Sequence, residues 1–212
     1  MPDNLLENLR DELCDELGLD HSFDTSGSIL VITGQNAAGK SLLRRWFHKE
    51  LDHRKVEAIH LSQEGRTTEG FVRALVYGSE HHDSTGYISA HTFTAGVRTM
   101  RGRSEDKIDH VVIWDEPEIG MGDELQLGSA NWLCDELADW PGSLQGVIVM
   151  THSRTFVKRL MEFPKAVWMS MDGFPTHNEW LNREIVPVTP EQVSKVGLER
   201  YRRISKLLKK KR

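Results

Sequence analysis

The sequence is poor in cysteine and in long apolar runs. Only two cysteines, Cys14 and Cys134, occur in 212 residues. They have no metal-ligand spacing and make no disulfide framework, which excludes a disulfide-stapled small module; both read as small core residues. No apolar run approaches the roughly 20 residues of a membrane-spanning helix, so no membrane insertion is expected. The start, Met1-Pro2-Asp3-Asn4 followed by acidic residues, does not read as a secretion signal. A reducing cytoplasmic setting is the simplest expectation. Internal repeats, low-complexity tracts and a convincing domain boundary are also lacking. One domain over 1–212 is expected, with an N-terminal helix and entry segment over 1–27, a core over 28–187 and a basic C-terminal helix over 188–212.

Charge of one sign is in only small excess, but it is unevenly placed. The net charge is −5, yet Arg200, Arg202, Arg203, Lys206, Lys209, Lys210, Lys211 and Arg212 crowd the C-terminus without an acid. These eight leave 19 basic against 32 acidic side chains for the remaining chain. A basic tail on an acidic body suits contact with nucleic acid or with an acidic protein partner. It is equally what a solvated helix end looks like, since lysines there are favoured by the helix dipole.

What is present is a phosphate-binding pattern. Gly34-Gln35-Asn36-Ala37-Ala38-Gly39-Lys40-Ser41 fits G-x-x-x-x-G-K-[ST] without mismatch, directly after the apolar run 29–32. Gly34 and Gly39 permit backbone angles that a side chain forbids, so the loop can wrap an anion and aim its N–H groups at phosphate oxygens. A helix beginning near Gly39 adds its unpaired N–H groups and dipole. Lys40 is placed for the β- and γ-phosphates of a nucleotide, and the Ser41 hydroxyl for Mg²⁺. Cofactor contacts are expected from Gly34 through Ser41. Position 42, the next along the helix, marks the end of that set and is expected to contribute none.

The remaining segments predict an α/β fold with a mostly parallel central sheet flanked by helices. Leucines at helical spacing predict a helix over 4–18, and Thr67 or Thr68 opens another that carries Phe71, Val72, Leu75 and Val76. Strands are expected over 28–33, 56–61, 110–114, 145–150 and 165–171, with an antiparallel partner over 179–186. Helices are expected over 87–100, 123–140 and 154–161, and a last one opens at Pro190 with a stripe of Val193, Val196, Tyr201, Ile204 and Leu208. The helix over 123–140 turns Leu125, Leu127, Trp132, Leu133, Leu137 and Trp140 to its apolar side.

Chemistry-bearing residues fall at strand ends, the ligand edge of such a sheet. Gln63 follows the second strand, within reach of Mg²⁺ and an attacking water. Asp115-Glu116 follows the third. Two adjacent carboxylates there need a cation or a proton, which predicts Asp115 holding Mg²⁺ through water and Glu116 acting as general base. His152 follows the fourth strand, positioned for a γ-phosphate. Ser84-Thr85-Gly86 opens a helix and suits either a phosphate or an ordinary cap. His81 and His82 have no third metal ligand at useful spacing.

The phosphate loop, Gln63, the apolar run into Asp115-Glu116-Pro117 and His152 occur in one order over roughly 28–155. That order resembles the ATP-binding-cassette (ABC) class of ATPases. The resemblance implies ATP and Mg²⁺ as cofactors, Glu116 as catalytic glutamate, Gln63 as the glutamine of the Q-loop and His152 as the switch histidine. It places the interface loop of the class over 118–123. The signature Leu-Ser-Gly-Gly-Gln is absent, and Ser84-Thr85-Gly86 with Ser89 is the candidate substitute. The short interval from Gln63 to Ser84 implies a reduced helical subdomain. The leading expectation is therefore an ATPase whose ATP-driven homodimer closure acts on a partner, as in the ABC ATPases of DNA repair. The alternatives are the ATPase subunit of a membrane transporter, and a monomeric nucleotide switch or phosphotransferase.

Overall fold

The computed structural model of the chain describes residues 5–17, 28–35, 38–62, 85–139 and 142–209. In chain order the elements are α1 (Leu5–Leu17), β1 (Ile29–Thr33), α2 (Lys40–His53), β2 (Glu57–Ser62), α3 (Thr85–Glu105), β3 (His110–Asp115), α4 (Asp123–Ala138), β4 (Leu144–Thr151), α5 (Arg154–Leu160), β5 (Ala166–Ser170), α6 (His177–Asn182) and α7 (Pro190–Lys209). The five strands form one sheet in the order β2-β3-β4-β1-β5, and every pairing is parallel. The expected α/β class is what the chain adopts.

Strand alternation builds two cores, one on each face. Leu30, Ile32, Val111, Ile113, Ile148, Met150, Val167 and Met169 face one side, where α1, α2 and the C-terminal half of α7 cover them. Ile29, Val31, Val112, Trp114, Val147, Val149 and Trp168 face the other, under α3, α4, α5 and α6. The central strands are buried on both faces, which is why they read as continuous apolar runs. On the second face Phe93 of α3 stacks on Trp114 of β3 with ring centroids 4.4 Å apart. On the first, Leu6 of α1 lies so close to β4 that a Cβ on Gly146 would stand 2.4 Å from its Cδ1. Each fully buried leucine of α1 contributes about 1.5–3 kcal/mol, and the Arg54–Glu12 ion pair at 2.6 Å ties the helix to α2.

Several expectations are corrected. The segment 179–186 is not a strand. Thr176 caps a short helix instead: its hydroxyl accepts from the Glu179 N–H at 3.2 Å and lies 3.2 Å from the Glu179 carboxylate. Thr176-x-x-Glu179 is a capping-box spacing, a signal that outranked the β-branched residues after it. Trp180 then drops into the core. Leu127 does not join the apolar side of α4 and is 45 % exposed. The α7 stripe is only partly used: Ile204 is buried and Leu208 packs partly buried on the first core, while Val196 and Tyr201 are exposed; Leu207, outside the expected stripe, is buried. Cys14 and Cys134 are buried free thiols, as expected of core residues. Among the described residues no helix is long and apolar enough to cross a membrane.

Candidate active site

Strand order decides which side chains meet. In register, Thr33 of β1 pairs with Thr151 of β4, and Asp115 of β3 pairs with Met150 of β4. The chain therefore leaves β1, β4 and β3 at nearly the same level. Because β4 lies between the other two, His152 emerges between the phosphate loop that follows β1 and Glu116 that follows β3. This is the carboxyl edge of a parallel sheet, where ligands of such sheets bind.

The loop turns into α2 at Gly39, whose φ of +95° is left-handed. The N-terminus of α2 has no side-chain cap there, so its leading N–H groups suit an anion. Lys40 is 4 % exposed. Its Nζ donates to Gly34 O at 3.1 Å and lies 3.3 Å from Glu116 Oε1. Within the loop the Ala38 N–H donates to Gln35 O at 3.0 Å. The Gln35 N–H donates to Asp172 Oδ2, beyond β5, at 2.9 Å. Asn36 and Ala37 lie outside the described residues, as do Gln63, Ser84, His81, His82, the 67–76 helix and Trp140.

The boundary of the loop falls between Ser41 and position 42. A second serine at 42 would extend the hydroxyl set of the site, but the residue there is leucine. Leu42 has no side-chain donor or acceptor for a nucleotide or for Mg²⁺. Its side chain is partly buried against the first core, and its N–H donates to Gly39 O at 3.0 Å. Position 42 is therefore a packing residue of α2 and not a cofactor ligand.

Glu116 sits at φ +50°, left-handed backbone that a glutamate rarely adopts. Its N–H still reaches across the sheet end to Met150 O at 2.8 Å. Such a conformation costs of the order of 1–3 kcal/mol and is characteristic of sites where a side chain must be aimed. His152 Nδ1 is 3.5 Å from Glu116 Oε1 and 3.4 Å from Glu118 Oε1. The hydrogen bond with His152 pulls the Glu116 carboxyl below its usual range, with Lys40 helping and burial opposing. The same hydrogen bond raises the His152 pKa against burial, with further help from Glu118. Glu116 is thus held as a carboxylate, and the imidazolium form of His152 is favoured.

Asp115 is buried and its Oδ2 lies 3.5 Å from Arg44 Nη1. Ser41 is exposed on the first turn of α2. A hydroxyl and a carboxylate are hard oxygen donors that suit Mg²⁺ retaining several waters, so these residues fit the ion. Among the described residues no group of three or more His, Cys, Asp or Glu side chains is arranged to hold a metal by itself.

The structure brings Lys40, Asp115, Glu116 and His152 together, and it adds residues that sequence reasoning missed. Arg44 follows Lys40 by one helical turn, the spacing that puts two side chains on one face; the two cations stand against the adjacent carboxylates Asp115 and Glu116. Glu118 is 4 % exposed and binds the β4 end. Asp172, just beyond β5, is the third. Burial raises its pKa, opposed by the Gln35 N–H, Arg200, Lys40 and Arg183. No sequence signal marks Asp172, because its partner lies 137 positions away.

No protein-family model and no curated protein matches the chain. Two solved structures are among those that match the chain. One is the Orc1 protein of Aeropyrum pernix in complex with DNA, at 15 % identity and a TM-score of 0.42, covering 95 % of this chain and 50 % of that one. The other is Cdc6p of Pyrobaculum aerophilum, at 11 % identity and a TM-score of 0.38, covering 95 % and 50 %. The chain spans about half the length of either. The assignment to the ABC class is corrected: the two matches named are an Orc1 and a Cdc6 protein, and neither is described as an ABC ATPase. The geometry agrees: Ser89, named with Ser84 as a substitute signature, is fully buried and donates its hydroxyl to Ile119 O of its own chain at 2.8 Å. The ABC-like reduced helical subdomain and the ATP-driven homodimer closure rested on that resemblance, and the interval 63–84 of that subdomain lies outside the described residues.

Proposed function

We propose that the chain binds and hydrolyses ATP with Mg²⁺ at this sheet edge and transmits the nucleotide state to a nucleic-acid partner through α7. The observation that carries the reading is the matched set of charges: Lys40 at 3.3 Å from Glu116 and Arg44 at 3.5 Å from Asp115, with His152 beside Glu116. A phosphate loop alone is a binding element. A phosphate loop facing an ionised, aimed glutamate and a histidine is equipped for transfer to water.

The roles follow from the contacts. The loop and the start of α2 hold the phosphates. Lys40 exchanges its Gly34 and Glu116 partners for phosphate oxygens, which frees Glu116 to accept a proton from water. Water oxygen attacks the γ-phosphorus, the bond to the bridging oxygen breaks, and ADP and phosphate leave. His152 donates to the γ-phosphate and loses that partner when phosphate departs. Ser41 and Asp115 would hold Mg²⁺, which would supply neutralisation of the charge that develops on the phosphate oxygens.

The link to a partner runs through α7. Ile204 packs against Gly39, while Arg202, Lys206 and Lys209 of the same helix are exposed. Polyanion binding there is expected to weaken steeply with salt.

Phosphate release from Mg-ATP and Mg-GTP tests the reading. The wild type is expected to turn over. Glu116→Gln is expected to bind nucleotide with turnover lowered by roughly 10²-fold or more, the range for a lost general base. Near wild-type turnover in Glu116→Gln would remove the proton-accepting role.

A further inference from the structure

Glu118 has no part in the roles above, yet it is a buried carboxylate beside the site. It lies in the connection after β3, 4 % exposed. Its Oε1 accepts from the Thr151 hydroxyl at 2.7 Å and from the His152 main-chain N–H at 3.0 Å. The same oxygen is 3.4 Å from His152 Nδ1. A buried carboxylate is costly unless its contacts compensate it, and here they converge on one oxygen.

The loop 151–153 has further hydrogen bonds besides those to Glu118. The Ser153 N–H donates to the Thr151 hydroxyl oxygen at 3.0 Å, and the Ser153 hydroxyl donates to Gln126 Oε1 at 2.5 Å and accepts from the Phe156 N–H at 3.1 Å. What Glu118 adds is control of the ring. Nδ1 lies between the carboxylates of Glu116 and Glu118, so its proton has an acceptor in either rotation. Nε2 is then the ring nitrogen left for an incoming anion.

We propose that Glu118 is a positioning residue that fixes His152, through one oxygen shared by its main-chain N–H and its ring, so that Nε2 is presented to the phosphate. The inference rests on the hydrolytic reading and deepens it. Glu118 acts through His152.

A double-mutant cycle tests this. Glu118→Gln keeps the size and one acceptor oxygen but removes the charge. It is expected to lower kcat roughly tenfold, a part of the 10²–10⁴ that a positioned acid–base group contributes, with KM for ATP changed less than twofold. In a His152→Ala background the same substitution is expected to change kcat less than twofold. An equal factor in both backgrounds would mean a general structural role and overturn the proposal. A second readout needs no turnover: the pH titration of the His152 ring by NMR, with Lys40, Glu116 and Glu118 as the charged groups facing it. Glu118→Gln is expected to move its midpoint to lower pH; an unmoved midpoint overturns the proposal. A wild type without phosphate release would end the hydrolytic reading while leaving the ring titration to decide the placement of His152.

Discussion

Ile204 of α7 stands against Gly39 of the phosphate loop, and a Cβ on Gly39 would lie 2.4 Å from Ile204 Cδ1. The helix that carries the basic residues thus touches the turn that starts α2. Ile204→Ala leaves a cavity there and is expected to cost about 2–4 kcal/mol in urea unfolding, with weaker nucleotide binding. Leu207→Ala removes a buried neighbour one turn away and serves as the control. It is expected to destabilise while leaving affinity intact. Equal losses of affinity in both would show that α7 acts only through overall stability. Gly39→Ala is expected to be worse for binding, since φ +95° adds about 1–2 kcal/mol of backbone strain to the clash.

Lys40 is the buried cation of the site, and its removal leaves two carboxylates and one histidine without it. Lys40→Ala is expected to raise the Kd for ATP at least tenfold, about 1.4 kcal/mol or more, and to end turnover. Fluorescence titration with a labelled nucleotide reads the first and phosphate release the second. Unchanged affinity would place the phosphates elsewhere.

Most of the scaffold was legible because it depends on local pattern. β1 and β3 are apolar at every central position, and α1 repeats leucine at helical spacing; both periodicities survive in the structure. The phosphate loop, Asp115-Glu116 and His152 were legible because strand ends in a parallel sheet converge on one edge. The partners of these residues were not. Arg44, Glu118 and Asp172 act across the fold, and only strand order brings them to the edge. The family assignment failed for a related reason: short motifs in a fixed order belong to any sheet that presents a phosphate loop beside acidic strand ends. Ser89 shows the difference, since a serine read as ligand-facing proved to be a buried tie between α3 and the loop after β3.

Arg44 holds Asp115 at 3.5 Å and also stands 3.1 Å from His60 Nε2. It therefore occupies the carboxylate proposed for Mg²⁺. Arg44→Gln leaves that carboxylate with less compensation and is expected to destabilise the protein by about 1–2 kcal/mol, below the 3–5 of a fully buried pair because the arginine is partly exposed. Mg²⁺ with nucleotide should then raise the Tm of the variant more than that of the wild type, since no arginine has to be displaced. An equal Mg²⁺ response in both proteins would separate Arg44 from the ion's site.

The last prediction concerns pH and turns on the same arginine. Burial lowers the His60 pKa to about 4, with the charge of Arg44 and then His48 adding to it. An Arg44 N–H donating to Nε2 requires that nitrogen to be unprotonated, so the geometry and the shift agree. His48 is lowered as well, by burial and Arg44. In the unfolded chain both titrate near 6.5. Between about 4 and 6.5 the unfolded state therefore binds more protons, and stability rises with pH across that window. It is fully present above 6.5 and lost as pH falls toward 4. His152 has the opposite sign: its raised pKa contributes stability below 6.5 that fades as pH rises through the folded value. For half-buried His60, screening reduces the effect to the order of 1–2 kcal/mol. Urea unfolding at several pH values between 4.5 and 7.5 reads the slope. His60→Gln keeps an acceptor for Arg44 without the proton, so it is expected to flatten the fall on the acid side. Carboxylates titrate in both proteins and cancel in the difference. A variant that falls as steeply as the wild type would leave His48 alone to account for the slope and would take His60 out of the pH response.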